Sequence, residues 1–128
     1  MKYLVLAYGH ERDWKALTKR ERDELLLQDE VLRDRGDLVA ALAETATTVR
    51  AWEGPPLACA GPFSVSLLPL AGFGIIEAAD LDEAIRLVAK TPCARARGAV
   101  ELRPIAVMNL PDWSVSGSGE RPSTPGTP

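Results

Sequence analysis

Two side chains in this sequence are candidates for proton transfer, and both lie beside apolar segments. His10 is the only histidine and follows the first apolar segment, while Glu44 interrupts an apolar run between residues 38 and 49. Imidazole exchanges protons near neutral pH, and a carboxylate that loses its water becomes a stronger base. If a cavity encloses both side chains, they predict general acid–base chemistry. The alternatives are an exposed loop histidine and a solubilising charge at an edge or turn.

Four further residues are candidates for binding a ligand. Arg50 is able to hold a carboxylate or an enolate, and Trp52 is able to stack on a flat molecule. Tyr8 and Phe63 are predicted to complete the walls of the same cavity. Arginine and aromatic residues are also enriched at subunit interfaces, so interface packing is the alternative for Arg50 and Trp52.

The sequence does not indicate a metal ion or a nucleotide cofactor. One histidine and two widely separated cysteines, Cys59 and Cys93, give no ligand set for zinc or iron. There is no Gly-x-Gly-x-x-Gly motif after a strand and no phosphate loop. We therefore predict that the protein uses no cofactor and no metal.

The elements that would position these residues alternate between strands and helices. Residues 9–17 are predicted to be a loop, and residues 57–60 to return as the hairpin partner of the strand before them. The remaining strands are predicted from apolar, β-branched segments at residues 3–8, 38–42, 45–52, 72–78 and 100–107.

Two helices are predicted from capping patterns. Thr18 and Glu21 form a capping box, in which each side chain satisfies a free backbone donor of the other residue. Asp80 and Glu83 repeat this pattern at the start of the second helix. The charged residues of the first helix, among them Asp29, are predicted to form its solvated side.

Two helices can cover only one face of a four-stranded antiparallel sheet, which predicts a ferredoxin-like α+β sandwich. The opposite face also carries apolar side chains, and exposing it would leave a larger apolar patch than soluble monomers usually tolerate. Two copies packed sheet to sheet would bury this face and enclose a cavity. The sequence therefore predicts a homodimer whose shared chamber is lined by the candidate residues.

Four short motifs occur in an order typical of one known family. They are TATTVR at 45–50, AGPF at 60–63, AGFGIIEA at 71–78 and DLDEA at 80–84. With these motifs the chain resembles, over residues 1–107, the YCII-related family, and specifically its DGPF branch. The resemblance implies a dimeric α+β barrel. The branch is named for an Asp-Gly-Pro-Phe turn whose Asp position is Ala60 here, which leaves Glu44 as the best substitute for the missing carboxylate.

Residues 63–73 depart most from the family pattern. Relatives usually carry a polar, charged loop here, whereas this chain has two serines, three leucines and a proline between residues 64 and 70. The change predicts a pocket remodelled for an apolar or aromatic substrate. A surface that contacts the partner subunit is the alternative.

These features predict a cofactor-independent enzyme that isomerises, cyclises or eliminates from a small molecule, in a specialised metabolic pathway. His10 and Glu44 are the predicted catalytic residues, and the predicted substrate-binding residues are Tyr8, Arg50, Trp52 and Phe63. The alternative is a non-catalytic binding or partner protein of the same fold, which lost its acid when Asp became Ala60.

Charge and composition argue against several partners. Fifteen basic and eighteen acidic residues give a net charge of −3, which disfavours nucleic acids and anionic membranes. No stretch approaches the roughly 20 apolar residues of a membrane span, and the first apolar run is too short for a signal peptide. We therefore predict a cytoplasmic protein with free thiols. Residues 1–110 are predicted to form one domain, and residues 111–128, rich in Ser, Gly, Pro and Thr, a disordered tail.

Overall fold

A four-stranded antiparallel sheet organises the structure, a computed structural model that describes residues 1–108. The predicted tail, residues 111–128, lies outside the described residues. In chain order, the elements are β1 (Lys2–Tyr8), α1 (Glu11–Lys15), α2 (Lys19–Asp34), β2 (Leu38–Ala41), β3 (Thr47–Arg50), β4 (Leu57–Ala60), β5 (Leu70–Glu77), α3 (Leu81–Val88), α4 (Pro92–Arg95) and β6 (Ala99–Pro104).

The strand order of the main sheet is β2–β5–β1–β6, with every neighbouring pair antiparallel. The first strand therefore lies in the middle of the sheet, between the last two of the four. Helices α2 and α3 make the two long connections, which is the ferredoxin-like arrangement. The predicted α+β fold class is confirmed.

The main core lies on one face of this sheet. Tyr3 of β1 stands opposite Ile76 of β5, and the two residues keep only 2% and 1% of their surface exposed. Leu32 of α2 packs in the same cluster, together with Ala84 and Val88 of α3. Burial of these side chains supplies the main driving force for folding.

The second face of the sheet is also apolar. Side chains alternate between the two faces of a strand, so the neighbours of Tyr3 and Ile76 point away from the core. Leu4 lies opposite Ile75, and Leu6 lies opposite Phe73. All four remain partly exposed in the single chain. A partner subunit on this face stays a prediction.

Helix α2 begins at the predicted capping box. Thr18 accepts a hydrogen bond from the Glu21 N–H at 3.1 Å, and the Glu21 carboxylate accepts one from the Thr18 N–H at 2.8 Å. Its apolar residues are less buried than a core helix requires, since only Leu32 is buried and Leu26 is 46% exposed. Asp29, expected on the solvated side, is half-buried instead. No helix within residues 1–108 is long and apolar enough to cross a membrane.

Two short helices replace segments without predicted structure. The predicted loop 9–17 contains α1, and α4 starts directly after Thr91, where the second predicted helix was expected to end. Pro92 stands in the first turn of α4, where its fixed φ suits a helix and its missing N–H is not needed. Helices of four or five residues are too short to show a periodic pattern, so they could not be predicted from the sequence.

The hairpin forms a second, separate sheet. Strands β3 and β4 pair antiparallel from Thr47 opposite Ala60 to Arg50 opposite Leu57, as predicted. Its strands are shorter than expected, because the predicted strand 45–52 is extended only over residues 47–50. All four residues of β4 are exposed, so the hairpin adds little to the core.

Candidate functional site

One large cleft runs around the end of the main sheet where β1 and β2 finish and β5 begins. Its volume is about 1270 Å³, more than a typical small-molecule site of roughly 300–1,000 Å³. Helices α1, α2 and α4 line it together with the chain after β2 and the segment before β5. Most of the lining side chains are apolar, so the few polar groups among them are the candidates for chemistry.

Two glycines let α4 approach the end of β1 closely enough to form the inner wall. A Cβ atom at Gly98 would lie 2.2 Å from the Tyr8 carbonyl oxygen and 2.5 Å from the Cys93 carbonyl oxygen, which no side chain tolerates. A Cβ atom at Gly9 would lie 3.1 Å from Cys93 Sγ. The absence of these two side chains therefore places Cys93 against the end of β1.

Three of the predicted site residues line this cleft: Tyr8, His10 and Glu44. Tyr8 is the last residue of β1 and is half-buried. Glu44 is exposed, in a bend between β2 and β3, and has no hydrogen bond or ion pair within residues 1–108. The structure brings these residues to one cleft, and their catalytic and binding roles stay predictions.

His10 has a structural task in addition to its predicted role. Its Nδ1 accepts a hydrogen bond from the Arg12 N–H at 3.1 Å and so caps the N-terminus of α1. A ring nitrogen that accepts a hydrogen bond carries no proton, so Nε2 bears the hydrogen of the neutral ring. In this arrangement, the Nε2–H group is the hydrogen-bond donor that the His10 ring presents to the cleft.

The other three predicted residues form a cluster on the hairpin and do not line the cleft. The Arg50 guanidinium carbon lies 5.8 Å from the centre of the Trp52 ring and 5.1 Å from that of Phe63. Such contacts are cation–π interactions. Trp52 is 87% exposed and Phe63 is 72% exposed. The structure thus divides the predicted site into a cleft group and a hairpin group.

Asp29 is a cleft residue that sequence reasoning missed. It lies on α2, lines the inner part of the cleft and is half-buried. Burial raises the pKa of its carboxyl, and the positive charge of Arg33 opposes this rise. The signal was present in the sequence, because the spacing of Leu25, Asp29 and Leu32 puts them on one face of a helix.

Cys93 faces the same part of the cleft from α4. Burial raises the pKa of its thiol, and the negative charge of Asp29 raises it further. The thiol therefore stays protonated near neutral pH and is a poor nucleophile. Within residues 1–108, no three histidine, cysteine or acidic side chains are grouped so that they could hold a metal ion.

Comparison with known proteins gave the following matches. The YCII-related domain matches residues 1–109 of the chain. An uncharacterized protein of Rhizobium meliloti (strain 1021), R00369, is 35% identical over 117 residues, which cover 84% of this chain and 94% of that protein.

A more distant likeness comes from a solved structure. This is 5-chloro-2-hydroxyhydroquinone dehydrochlorinase (TftG) from Burkholderia phenoliruptrix AC1100, in complex with 2,5-dihydroxybenzoquinone. The match has a TM-score of 0.45 and 16% sequence identity, and it covers 84% of this chain and 96% of that one. A likeness this distant says nothing about the activity of the present chain.

Proposed function

Because this chain belongs to the YCII-related family, we propose that it is a cofactor-independent enzyme that moves a proton on a small apolar or aromatic molecule. The observation that carries the proposal is the cleft, which joins a large apolar wall to a few polar side chains. This combination is typical of sites for small organic ligands. We also assign the chain to the DGPF branch, with Ala60 in place of the Asp of its motif.

In this proposal, the two rim residues transfer the proton. The exposed carboxylate of Glu44 removes a proton from the bound molecule, and the Nε2–H group of His10 donates to the oxygen that gains charge. Returning the proton to another carbon gives an isomerisation, and loss of a leaving group gives an elimination. In a cyclisation, the carbanion attacks a carbonyl carbon of the same molecule, the carbonyl π bond breaks, and its oxygen takes up the proton. Tyr8 forms part of the wall that holds the molecule in position.

The proposal includes a second copy of the chain. A partner packed on the second face of the sheet would cover Leu4, Leu6, Phe73 and Ile75. Arg50, Trp52 and Phe63 do not line the cleft of a single chain, so in this proposal they reach a ligand only across the subunit boundary. The guanidinium of Arg50 then holds an anionic group, and Trp52 and Phe63 pack on the ring.

Exchange of carbon-bound hydrogen for deuterium tests the proton-transfer step without knowledge of the product. Hydroxylated aromatics and cyclic ketones are incubated with the protein in D₂O, and deuterium uptake is followed by NMR and mass spectrometry. We expect the wild-type protein to accelerate exchange in a compound that it binds. Glu44→Gln should slow this exchange by about 10²–10⁴-fold, the usual contribution of a general base.

Two outcomes would contradict the proposal, and they differ in meaning. Binding in the cleft without any exchange would favour a non-catalytic binding protein. No binding of any compound would remove the cleft as a ligand site. Ala60 is exposed on β4 and, like the hairpin cluster, does not line the cleft of a single chain.

A further inference from the structure

We propose that Asp29 is the residue that selects the ligand of the cleft, and that the ligand is a neutral molecule with a hydroxyl or N–H donor. The inference rests on the proposed function, because it takes the cleft to be the ligand site. It goes further by naming the chemical group that the inner wall recognises. The rim residues His10 and Glu44 keep their roles in proton transfer.

Asp29 lines the cleft beside an apolar wall. It shares the face of α2 that carries Leu32, a residue only 4% exposed. Other acidic residues of the helix are solvated, such as Asp23, whose carboxylate pairs with Lys19 at 2.8 Å. Asp29 is thus held partly out of water beside an apolar wall.

The lack of a partner is a further argument. Within residues 1–108, the Asp29 carboxylate accepts no hydrogen bond and forms no ion pair. Arg33, one turn further along α2, acts on it through its charge alone. A carboxylate that loses part of its hydration without gaining donors destabilises the fold, and such a group in a cleft is a candidate for binding a ligand that supplies a donor.

The surroundings of Asp29 favour a neutral donor over a cation. Arg33 already places a positive charge near it, and the thiol of Cys93 on α4 is uncharged. The other ionisable side chains along the cleft are Tyr8 at the end of β1 and His10, Glu11 and Glu44 at the rim. A cation would lose its own hydration against the apolar wall, whereas an O–H group makes a charge-assisted hydrogen bond with little loss.

A pair of matched aromatic compounds tests the inference. 2-Naphthol carries one O–H donor, and 2-methoxynaphthalene has the same ring system without it. Both are titrated into the full chain, and dissociation constants and binding position are read from amide NMR spectra. We expect 2-naphthol to bind the wild-type protein about tenfold more tightly, as one charge-assisted hydrogen bond would give.

Two variants of Asp29 test the acceptor, one by weakening it and one by removing it. Asp29→Asn keeps the shape but weakens the acceptor, so the preference for 2-naphthol should shrink. Asp29→Leu removes the acceptor and extends the apolar face of α2, so both compounds should bind equally. Asp23→Asn, a solvated position on the same helix, should keep the wild-type preference. Thermal unfolding of each variant shows that the fold is retained.

The possible failures are distinguishable. An unchanged preference for 2-naphthol in Asp29→Leu would overturn the role of Asp29 and leave the cleft as a ligand site. If neither compound binds the wild-type protein, both the proposed function and the role of Asp29 are overturned.

Discussion

At the scale of single residues, His10 has an observed structural role and a predicted chemical role, and a substitution such as His10→Ala removes both at once. Its Nδ1 caps α1, while the predicted chemistry uses Nε2. Asparagine is a good N-cap residue but has no imidazole. We expect His10→Asn to keep the wild-type stability and lose most of the exchange activity. We expect His10→Ala to lose the activity and about 0.5–1 kcal/mol of unfolding free energy.

Urea unfolding and the deuterium-exchange assay separate these effects. The pair of variants isolates the cap, because only His10→Ala removes the acceptor for the Arg12 N–H. Full exchange activity in His10→Asn would show that the imidazole takes no part in the chemistry. Equal stability of the two variants would show that the cap contributes nothing measurable.

Asp29 gives a pH-dependent prediction whose sign follows from its burial. Burial raises the pKa of the folded carboxyl above the unfolded value of 3.8, so the folded chain binds this proton more tightly. Ionisation of Asp29 therefore opposes folding as the pH rises through this range, and the penalty is fully present at neutral pH. We expect Asp29→Asn to raise the melting temperature at pH 7, with a gain that disappears below the unfolded pKa.

Melting curves of the wild-type protein, Asp29→Asn and Asp23→Asn at pH 7 and at pH 3 check this sign. Asp23→Asn removes a solvated ion pair with Lys19 and should change stability little at either pH. A lower melting temperature of Asp29→Asn at pH 7 would mean that the carboxylate has a stabilising partner.

The candidate site could be predicted from the sequence only in part. Residue chemistry identified His10 and Glu44, and their place after strands brought them to one cleft. Asp29 was assigned to the solvated side by its charge, although its spacing from Leu25 and Leu32 contained the opposite signal. The burial of Asp29 follows from its position on the helix and not from its charge, because α4 and the sheet enclose that face of α2.

At the scale of elements, the edge strand β2 is joined to β5 by polar contacts as well as by the ladder. Asp37, just before β2, accepts a hydrogen bond from the Glu77 N–H at 3.0 Å through Oδ1. Its buried Oδ2 lies 3.5 Å from Arg35 Nε. Arg35 in turn donates to the Glu77 carbonyl oxygen at 2.6 Å. These contacts fix the turn between α2 and β2 to the end of β5.

We expect Asp37→Ala to lower the free energy of unfolding by about 2 kcal/mol, because the Glu77 N–H loses its acceptor and the Arg35 guanidinium loses its ion-pair partner. Asp34→Ala is the matched control, since Asp34 is exposed at the end of α2 and should change stability by less than about 0.5 kcal/mol. Chemical unfolding of both variants measures the difference. Equal effects would show that the Asp37 contacts are replaced by water.

Element prediction succeeded where the local signals were strong. Both long helices begin where their caps predicted: α2 after the capping box of Thr18 and Glu21, and α3 after the cap of Asp80. Helix α4 depends instead on tertiary packing against β1, which is possible because Gly98 carries no Cβ. A close backbone approach of this kind leaves no periodic pattern, so the sequence could not place the inner wall of the cleft.

At the scale of the whole molecule, the two faces of the sheet decide the architecture. The apolar residues of β1 and β5 follow one another without a break and so fall on both faces of the sheet, and the helices within residues 1–108 cover the face of Tyr3 and Ile76. The order of the elements then fixed the ferredoxin-like topology. Within residues 1–108 no helix covers the second face, and its burial by a second copy of the chain stays a prediction.

We expect the protein to be a homodimer in solution, joined through the second face of the sheet. Leu6 lies between Phe73 and Glu101 in the middle of that face. An aspartate at this position would bury a second negative charge beside Glu101 in each subunit, so Leu6→Asp should weaken dimerisation by at least about 100-fold. Sedimentation velocity over a concentration series measures the dissociation constant.

Leu81→Asp is the matched control for this experiment. Leu81 is 50% exposed in the first turn of α3, where an acidic residue suits the helix dipole. The variant carries the same added charge and should remain dimeric. A dimer that persists in Leu6→Asp would place the interface elsewhere, for which the exposed hairpin residues Trp52, Leu57 and Phe63 are the next surface to test. A wild-type monomer would mean that the cleft must hold its ligand without a partner, and the hairpin cluster would then have no role in binding.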